Sequence, residues 1–370
     1  MIAARSVARS KAEYPVPAYL FHDRRLTLDD ARLFDALETA HKERGRPLCL
    51  CMAGEVQMYV ARLGPVFILK RMPGTGSLHA LDCASYEPPA ELSGLGQVIG
   101  AAITEDPESG TTSLKLGFAM SKRGARSNAS RPDEGDVSAV NDGSKLTLRG
   151  LLHYLWDQAE LTRWQPGFAG RRTWATVRRL LLIAAEGKIA RGRALQDSVY
   201  IPEAFYVERR AEITARRTAQ WAHAKRYRKG GRPLLLLIGE VKEIAPARFG
   251  SRAVIKHVPD QSFALEDELY RRTVKCFEHE LSLWGASDAL HMIMSATFAL
   301  SCAGVPTIEE LVLMPTNAEW IPVEDAFELQ LIDRLRQDER RFTKSLRYDA
   351  WVAPRVRIVV APIEQPWGRR

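Results

Sequence analysis

Residues 46–89 read RPLCLCMAGEVQMYVARLGPVFILKRMPGTGSLHALDCASYEPP, and this stretch decides how the N-terminal part of the chain folds. Two runs rich in β-branched and aromatic residues, 56–63 and 66–70, are separated by a Gly-Pro turn, a pattern that predicts a β-hairpin. A second, glycine-containing turn follows at 73–76. Because a segment this small buries little apolar surface, the sequence predicts that another source of stability holds it together.

Four potential metal ligands lie at the two ends of this hairpin: Cys49, Cys51, His79 and Cys83. Zinc is held by Cys and His side chains in a tetrahedron, and it stabilises domains that have small cores. Residues two apart on a strand point to the same side, so Cys49 and Cys51 can share one ion. His79 and Cys83 are four apart, a spacing that suits one helical turn. The sequence therefore predicts a structural Zn²⁺ site with four protein ligands.

The alternative is that Cys49 and Cys51 are small core residues and His79 is a surface histidine, because unpaired cysteine is among the most buried residue types. Three of the five cysteines fall within the same short segment, which favours the metal site. Five cysteines in 370 residues do not make a disulfide framework, and this usage is typical of a reducing, cytoplasmic compartment.

Outward from the metal segment, the hydrophobic pattern predicts an α+β protein in several parts, as expected for a chain longer than one core usually supports. No apolar run reaches the length of about 18 residues that a membrane-spanning helix needs. The predicted parts are an N-terminal arm and helix (1–45), a small zinc-binding β-hairpin module with further hairpins (46–120), a flexible linker (121–145), a basic helical middle region (146–230) and a C-terminal mixed α/β sheet domain (231–370).

Within the last two parts, the periodicity predicts individual elements. The expected helices are 146–160, 173–186, 204–226, 265–284 and 323–341. The expected strands are 234–244, 253–258, 292–300, 311–314 and 356–360. A helix over 27–45 is also expected, because Thr27 and Asp30 have the spacing of a capping box.

The positive charge of the chain is concentrated in residues 146–230. This region has seventeen basic and seven acidic residues, a net charge of +10, whereas the whole chain carries +8. Such a local excess favours a polyanionic partner, and it predicts nucleic-acid contact. The residues expected to make it are Arg171, Arg172, Arg178, Arg179, Lys188, Arg191 and Arg193. The alternative is that these side chains form a solvated helix face.

Glu240 and Lys242 are the strongest candidates for catalysis. On a strand, a carboxylate and a lysine two residues apart share one face, which is how metal-dependent nucleases of the E-x-K type hold Mg²⁺ and phosphate. No acidic residue on a preceding strand completes such a site. The alternation of polar residues along a half-exposed strand explains the pair equally well.

The stretch 46–89, together with LLLLIGEVKEIAPARFG (234–250), AVIKHVPD (253–260) and AGVPTIEELVLMPTNAEWIP (303–322), resembles the bacterial domain-of-unknown-function family 1173. The resemblance runs to about Tyr348 and leaves 352–370 outside it. The mark of the family is three cysteines, which Cys49, Cys51 and Cys83 match. The resemblance implies an association with mobile genetic elements and hence with DNA.

Together, these patterns predict a cytoplasmic, zinc-stabilised protein that associates with nucleic acid. Two other functions fit the sequence: a metal-dependent nuclease of the E-x-K type, and a protein-interaction scaffold in which the zinc hairpin contacts a partner. The sequence identifies no protein partner and gives no preference between DNA and RNA.

Overall fold

The computed structural model divides the chain into two compact units, Met1–Glu87 and Pro88–Arg370. The fold is of the mixed α+β class, as predicted. None of the helices in the described ranges has both the length and the hydropathy that a bilayer crossing requires. The structure describes residues 18–63, 66–81, 83–89, 93–122, 143–222, 224, 231–248, 250–301, 304–348 and 357–361.

The first unit is a five-stranded antiparallel sheet with one helix packed on it. Its strand order is β2-β1-β3-β4-β5, and β4 and β5 form the predicted hairpin. The helix buries Leu37 and Ala40. The elements are β1 (Ala18–Phe21), β2 (Arg24–Thr27), α1 (Leu33–Lys42), β3 (Leu48–Cys49), β4 (Val56–Leu63) and β5 (Val66–Arg71).

The start of α1 differs from the prediction. Thr27 ends strand β2 and does not cap the helix, which begins after Arg32. Asp30 instead accepts hydrogen bonds from the backbone and guanidinium of Arg32. The strand pairing of 24–27 with β1 therefore overrides the capping-box pattern.

The second unit contains six helices and fifteen strands in its described residues. The helices are α2 (Leu148–Gln158), α3 (Trp174–Ala185), α4 (Arg210–Ala222), α5 (Asp267–Cys276), α6 (Glu278–Gly285) and α7 (Ala326–Gln337). The strands are β6 (Ile103–Glu105), β7 (Thr112–Leu114), β8 (Ser121–Lys122), β9 (Arg163–Trp164), β10 (Lys188–Ala190), β11 (Arg193–Ala194), β12 (Val199–Tyr200), β13 (Arg232–Pro233), β14 (Leu235–Pro246), β15 (Ser251–Ile255), β16 (Phe263–Leu265), β17 (His291–Leu300), β18 (Pro306–Thr316), β19 (Phe342–Lys344) and β20 (Ile358–Val360).

Five of these strands close into a ring. β14 pairs with β15, β15 with β16, β16 with β18, β18 with β17, and β17 with β14 again. The β16–β18 pair is parallel and the other four are antiparallel. Strand β14 is long enough to pair with β17 along its first half and with β15 along its second, and a bulge between Val241 and Glu243 marks the change.

Strand β14 is buried on both faces because two cores meet on it. Leu235 and Leu237 point into the core inside the ring, with Phe263 and Phe298. Their neighbours, such as Leu236, join the core formed by α2, α3 and the four-stranded sheet β11-β10-β7-β6. The hydroxyls of Thr147 and Thr173 cap α2 and α3 by accepting backbone hydrogen bonds from Gly150 and Thr176.

The predicted part boundaries within the second unit do not separate cores. The core on α2 includes residues from Leu95 to Tyr348 and so crosses the boundaries predicted at 120, 145 and 230. Of the predicted linker, 123–142 lie outside the described residues, whereas Ser121 and Lys122 pair with β13. The N-terminal arm, 1–17, also lies outside them.

Helix α4 is fixed to the ring by a partly buried ion pair. It buries Ile213, Arg217 and Trp221, which recur every fourth residue. The guanidinium of Arg217 donates two hydrogen bonds to Asp260, with N···O distances of 2.8 and 2.6 Å. These bonds lower the pKa of Asp260. Arg217 therefore stabilises the fold by pairing with an ionised carboxylate.

Replacing Asp260 by Asn is expected to lower the free energy of unfolding at pH 7 by about 2 kcal/mol, because a charge-assisted contact is lost. The pKa of Asp260 is lower in the folded state than its unfolded value of about 3.9. Its contribution is therefore complete above pH 4 and disappears as the pH falls through the folded pKa. Urea unfolding at pH 7 and pH 3 measures this, with Asp338→Asn, in an exposed pair with Arg334, as the control. An equal loss at both pH values contradicts the prediction.

Candidate metal centre

The first pair of predicted ligands lies where strand β3 ends. Cys49 is its last residue and pairs with Tyr19 of β1 on one side and Val56 of β4 on the other. Pairing on both sides buries Cys49, which is 1% exposed. Cys51 follows in the turn that leads to β4 and is partly exposed.

The second pair lies on a loop, not on the helical turn predicted for it. A short 3₁₀ turn, Gly76–Leu78, precedes His79, whose backbone is already extended. Gly76 is required there, because a Cβ atom at this position would lie 2.7 Å from the Cβ of Glu87. The N–H of Cys83 then closes a turn onto the carbonyl of Ala80. A tight loop with its own turns, rather than a helix, positions the two ligands.

The four side chains converge, as a shared metal site requires. Their ligand atoms, three sulfurs and Nδ1 of His79, all lie within 4.8 Å of one another. The Cys49 and Cys83 sulfurs are 3.8 Å apart, and Nδ1 of His79 lies 3.4 Å from the sulfur of Cys51 and 3.7 Å from that of Cys83. A zinc tetrahedron has sulfur–sulfur edges of about 3.8 Å and sulfur–nitrogen edges of about 3.6 Å. The donor set therefore fits a tetrahedral ion.

Backbone N–H groups surround the sulfurs. Ala80 donates to the sulfur of Cys51 and Ser85 to that of Cys83, each at 3.4 Å. Hydrogen bonds of this kind favour the thiolate, the form that binds metal. The bond from Cys49 lowers the pKa of Cys83, with smaller contributions from His79 and Ser85, whereas the same bond and burial raise the pKa of Cys49. These contacts favour the thiolate form at Cys83, and a bound metal would displace the remaining thiol protons.

Comparison with known proteins places the chain in a family. The model of the family described as Protein of unknown function (DUF1173) matches residues 19–365, nearly the whole chain. The chain belongs to this family. The match also includes most of the 352–370 stretch, which the sequence resemblance left outside. No curated protein and no solved structure matches the chain.

In this DUF1173 protein, Glu240 lies within a cluster that the sequence did not predict. Its carboxylate is 5% exposed and contacts Nδ1 of His291 at 2.7 Å, Nζ of Lys256 at 2.9 Å and Nε2 of His257 at 3.6 Å. Burial alone would raise the pKa of Glu240, but contacts with His257, His291 and Lys256 outweigh it and hold the pKa far below the usual range. Glu240 is therefore a buried, ionised carboxylate.

Lys242 is not part of this cluster, which corrects the predicted E-x-K geometry. The bulge after Val241 breaks the alternation of β14, so Lys242 is exposed whereas Glu240 is buried. Lys256, just beyond the paired strand β15, supplies the ammonium group in its place. Only strand pairing brings Lys256 to Glu240, so sequence spacing gave no signal for it.

The predicted nucleic-acid-binding residues divide into two sets. The four in the first set donate hydrogen bonds within the protein: Arg172 to the carbonyls of Glu160, Leu161, Arg163 and Glu319, Arg178 to that of Ile201, Lys188 to Thr112 and Gln158, and Arg191 to the carbonyls of Leu116 and Phe118. Lys188 is 3% exposed and lies over the ring of Tyr154. Arg172 and Lys188 are therefore structural.

The second set, Arg171, Arg179 and Arg193, is exposed. Arg171 precedes the N-terminus of α3, and Arg179 lies on the exposed face of that helix, between Ala175 and Ile183. Within the described part of the chain, the structure gives none of the three guanidinium groups a hydrogen bond or an ion pair. Their charges are thus directed to solvent.

The second unit also contains a cleft of about 300 Å³ lined by charged side chains. Lys344 is among its lining residues, is fully buried and forms an ion pair with Glu328 at 2.7 Å. Two further ion pairs line the cleft, Arg347 with Glu324 and Arg149 with Glu280. Because its charges are largely matched by neighbours, the cleft gives less indication of a ligand than the metal centre does.

Proposed function

We propose that this chain is a zinc-stabilised protein that associates with nucleic acid. The observation that carries the metal part is the convergence of Cys49, Cys51, His79 and Cys83 at distances that match a zinc tetrahedron. Four protein ligands fill the coordination sphere, so the zinc stabilises the first unit and takes no part in catalysis. The small sheet of that unit gains from the metal the stability that a larger core would give.

The association with nucleic acid is supported by the charge of residues 171–193, which include seven basic side chains and one acidic one. Four of the seven basic side chains make hydrogen bonds within the protein. The other three, Arg171, Arg179 and Arg193, are exposed and can neutralise phosphates. The N-terminus of α3, close to Arg171 in sequence, adds backbone N–H groups that favour a phosphate.

The five-stranded ring adds support by analogy of fold. The strands pair in the order β14-β15-β16-β18-β17, and the β16–β18 pair is parallel. Helices α5 and α6 lie between β16 and β17, the third and fourth strands of the ring in chain order. OB-fold barrels have this strand order. Many such barrels bind oligonucleotides. The analogy concerns topology alone, and the exposed arginines carry the argument about this chain.

Binding to labelled single-stranded DNA and RNA is expected, and replacing Arg171, Arg179 and Arg193 together by Ala should weaken it. Each phosphate contact releases counterions, so loss of three contacts should lower the slope of log K against log salt by about 2. Fluorescence anisotropy over a salt series measures this slope. A control with the same change in charge replaces Arg24, Arg25 and Arg271, which are also exposed.

Equal loss of binding in the two triple variants would show that net charge, and not this surface, determines affinity. No anisotropy change at low salt with either nucleic acid would remove the nucleic-acid part of the proposal. The metal part has its own test, since metal content is measured on the same purified protein without any nucleic acid.

A further inference from the structure

Glu240, His291, His257 and Lys256 form a cluster at one end of the ring of strands. The two histidines lie on opposite sides of the carboxylate, each against one of its oxygens. Each imidazole also stacks on a tryptophan: His257 on Trp174 at 5.3 Å, and His291 on Trp320 at 3.9 Å with an interplanar angle of 4°. The two tryptophans also contact one another. The carboxylate of Glu240, the two imidazoles and the two indoles therefore form one continuous group of contacts.

The contact with Glu240 fixes the tautomer of His291. Because an ionised carboxylate only accepts hydrogen bonds, Nδ1 of His291 carries the proton and donates it to Glu240 at 2.7 Å. In the neutral imidazole, the lone pair is therefore on Nε2. The side chain of His291 is 23% exposed, so this lone pair belongs to a partly accessible imidazole oriented by a buried carboxylate. Catalytic general bases have this arrangement.

Trp320, which stacks on His291, has a strained backbone conformation. Its φ is +62°, in the left-handed region that a large side chain rarely adopts. The turn is fixed by Asn317, whose side-chain oxygen accepts the N–H groups of Glu319 and Ile321. The indole of Trp320 donates to the carbonyl of Arg172. A strained residue that is determined from several sides is typical of functional sites.

Lys256 supplies an exposed positive charge at the same place. Its ammonium group contacts the same carboxylate oxygen as His291, and its side chain is 52% exposed. A cation in this position can bind a phosphate beside the imidazole. Trp174, which stacks on His257, is the first residue of α3, so the cluster is continuous with the helix that Arg171 precedes.

We infer that His291, Lys256 and Glu240 form a site that cleaves RNA, the ribose supplying the nucleophile. Nε2 of His291 takes the proton of a ribose 2′-hydroxyl as its oxygen bonds to the adjacent phosphorus. The bond from phosphorus to the 5′-oxygen breaks, and that oxygen takes a proton from the Lys256 ammonium. The products are a 2′,3′-cyclic phosphate and a 5′-hydroxyl, and solvent returns the protons. His291 and Lys256 are catalytic residues, and Glu240 is a positioning residue.

This inference rests on the proposed association with nucleic acid, and it specifies RNA as the substrate. The test uses the full-length protein and a short oligonucleotide that contains one ribose in an otherwise deoxy strand. Cleavage is expected only after the ribose, with the cyclic phosphate identified by mass spectrometry. His291→Asn should lower kcat by about 10²–10⁴-fold, the contribution typical of general acid–base catalysis. Lys256→Ala should lower it as well, whereas Lys275→Ala, also an exposed lysine, should match the wild type.

Glu240→Gln separates positioning from binding, because it should lower kcat and leave KM nearly unchanged. Thermal melting of each variant shows whether it folds. If Glu240→Gln does not fold, the kcat values of His291→Asn and Lys256→Ala still test the inference, because both side chains are partly exposed.

Intact oligonucleotide, cleavage of an all-deoxy strand at the same rate, or unchanged cleavage by His291→Asn would each overturn the inference. Binding is scored separately by anisotropy with the all-deoxy strand, which has no 2′-hydroxyl to attack. Binding without cleavage would refute the catalytic site but would still agree with the proposed association with nucleic acid. Absence of binding removes the proposed function itself.

Discussion

Replacing Cys83 by Ala is expected to abolish metal binding and to unfold the Met1–Glu87 unit. The wild type should contain about one zinc per chain, and the variant close to none, because the sulfur of Cys83 lies within 4.8 Å of the other three ligand atoms. Structural zinc contributes on the order of 10 kcal/mol in small zinc-dependent domains, more than this small sheet can lose and remain folded. Elemental analysis measures the metal, and limited proteolysis measures the unfolding.

Cys276→Ala is the matched control, since Cys276 is exposed and far in sequence from the four ligands. It should change neither zinc content nor proteolysis. A strong chelator should reproduce the effect of Cys83→Ala in the wild type and have little further effect on the variant. A metal-free first unit that stays resistant to protease would show that the cysteines are ordinary core residues.

The convergence of Cys49, Cys51, His79 and Cys83 could be predicted because it follows from residues close together in the sequence. Cys49 and Cys51 are separated by one residue, His79 and Cys83 by three, and the intervening β-rich runs form the hairpin that joins them. The loop conformation at His79 could not be predicted, since it depends on the close approach of Gly76 to Glu87. Spacing alone does not distinguish a helical turn from a loop that places two ligands equally well.

In the second unit, the elements could be predicted from local patterns but their arrangement could not. Its long helices and strands follow the periodicity, and α2, α3 and β14 lie within a few residues of their predicted bounds. The closure of the ring depends on pairings between distant segments, such as β14 with β17, which no local pattern encodes. For the same reason the sequence drew attention to Glu240 but assigned it Lys242 as partner, whereas strand pairing and a bulge select Lys256.

The second large effect is expected on stability, when Arg172 is replaced and its neighbour Arg171 serves as the comparison. Arg172→Ala should lower the free energy of unfolding of the second unit by about 3–5 kcal/mol, because it leaves several carbonyl groups without a charged donor. The guanidinium of Arg172 joins the end of α2, strand β9 and the turn at Glu319, and it lies over the ring of Phe168. Burial lowers its pKa to about 10, but it remains charged at neutral pH. Urea unfolding measures the loss.

Arg171→Ala is the matched control, because it removes the same side chain one residue earlier from an exposed position. It should change stability by less than about 0.5 kcal/mol and weaken nucleic-acid binding instead. The pair therefore separates two uses of arginine that a count of charges treats as one. Similar destabilisation by both variants, or weaker binding by a fully folded Arg172→Ala variant, would contradict this division. The seven basic residues of 171–193 are then best understood as four that fix the surrounding structure through internal hydrogen bonds and three exposed arginines that are available to phosphate.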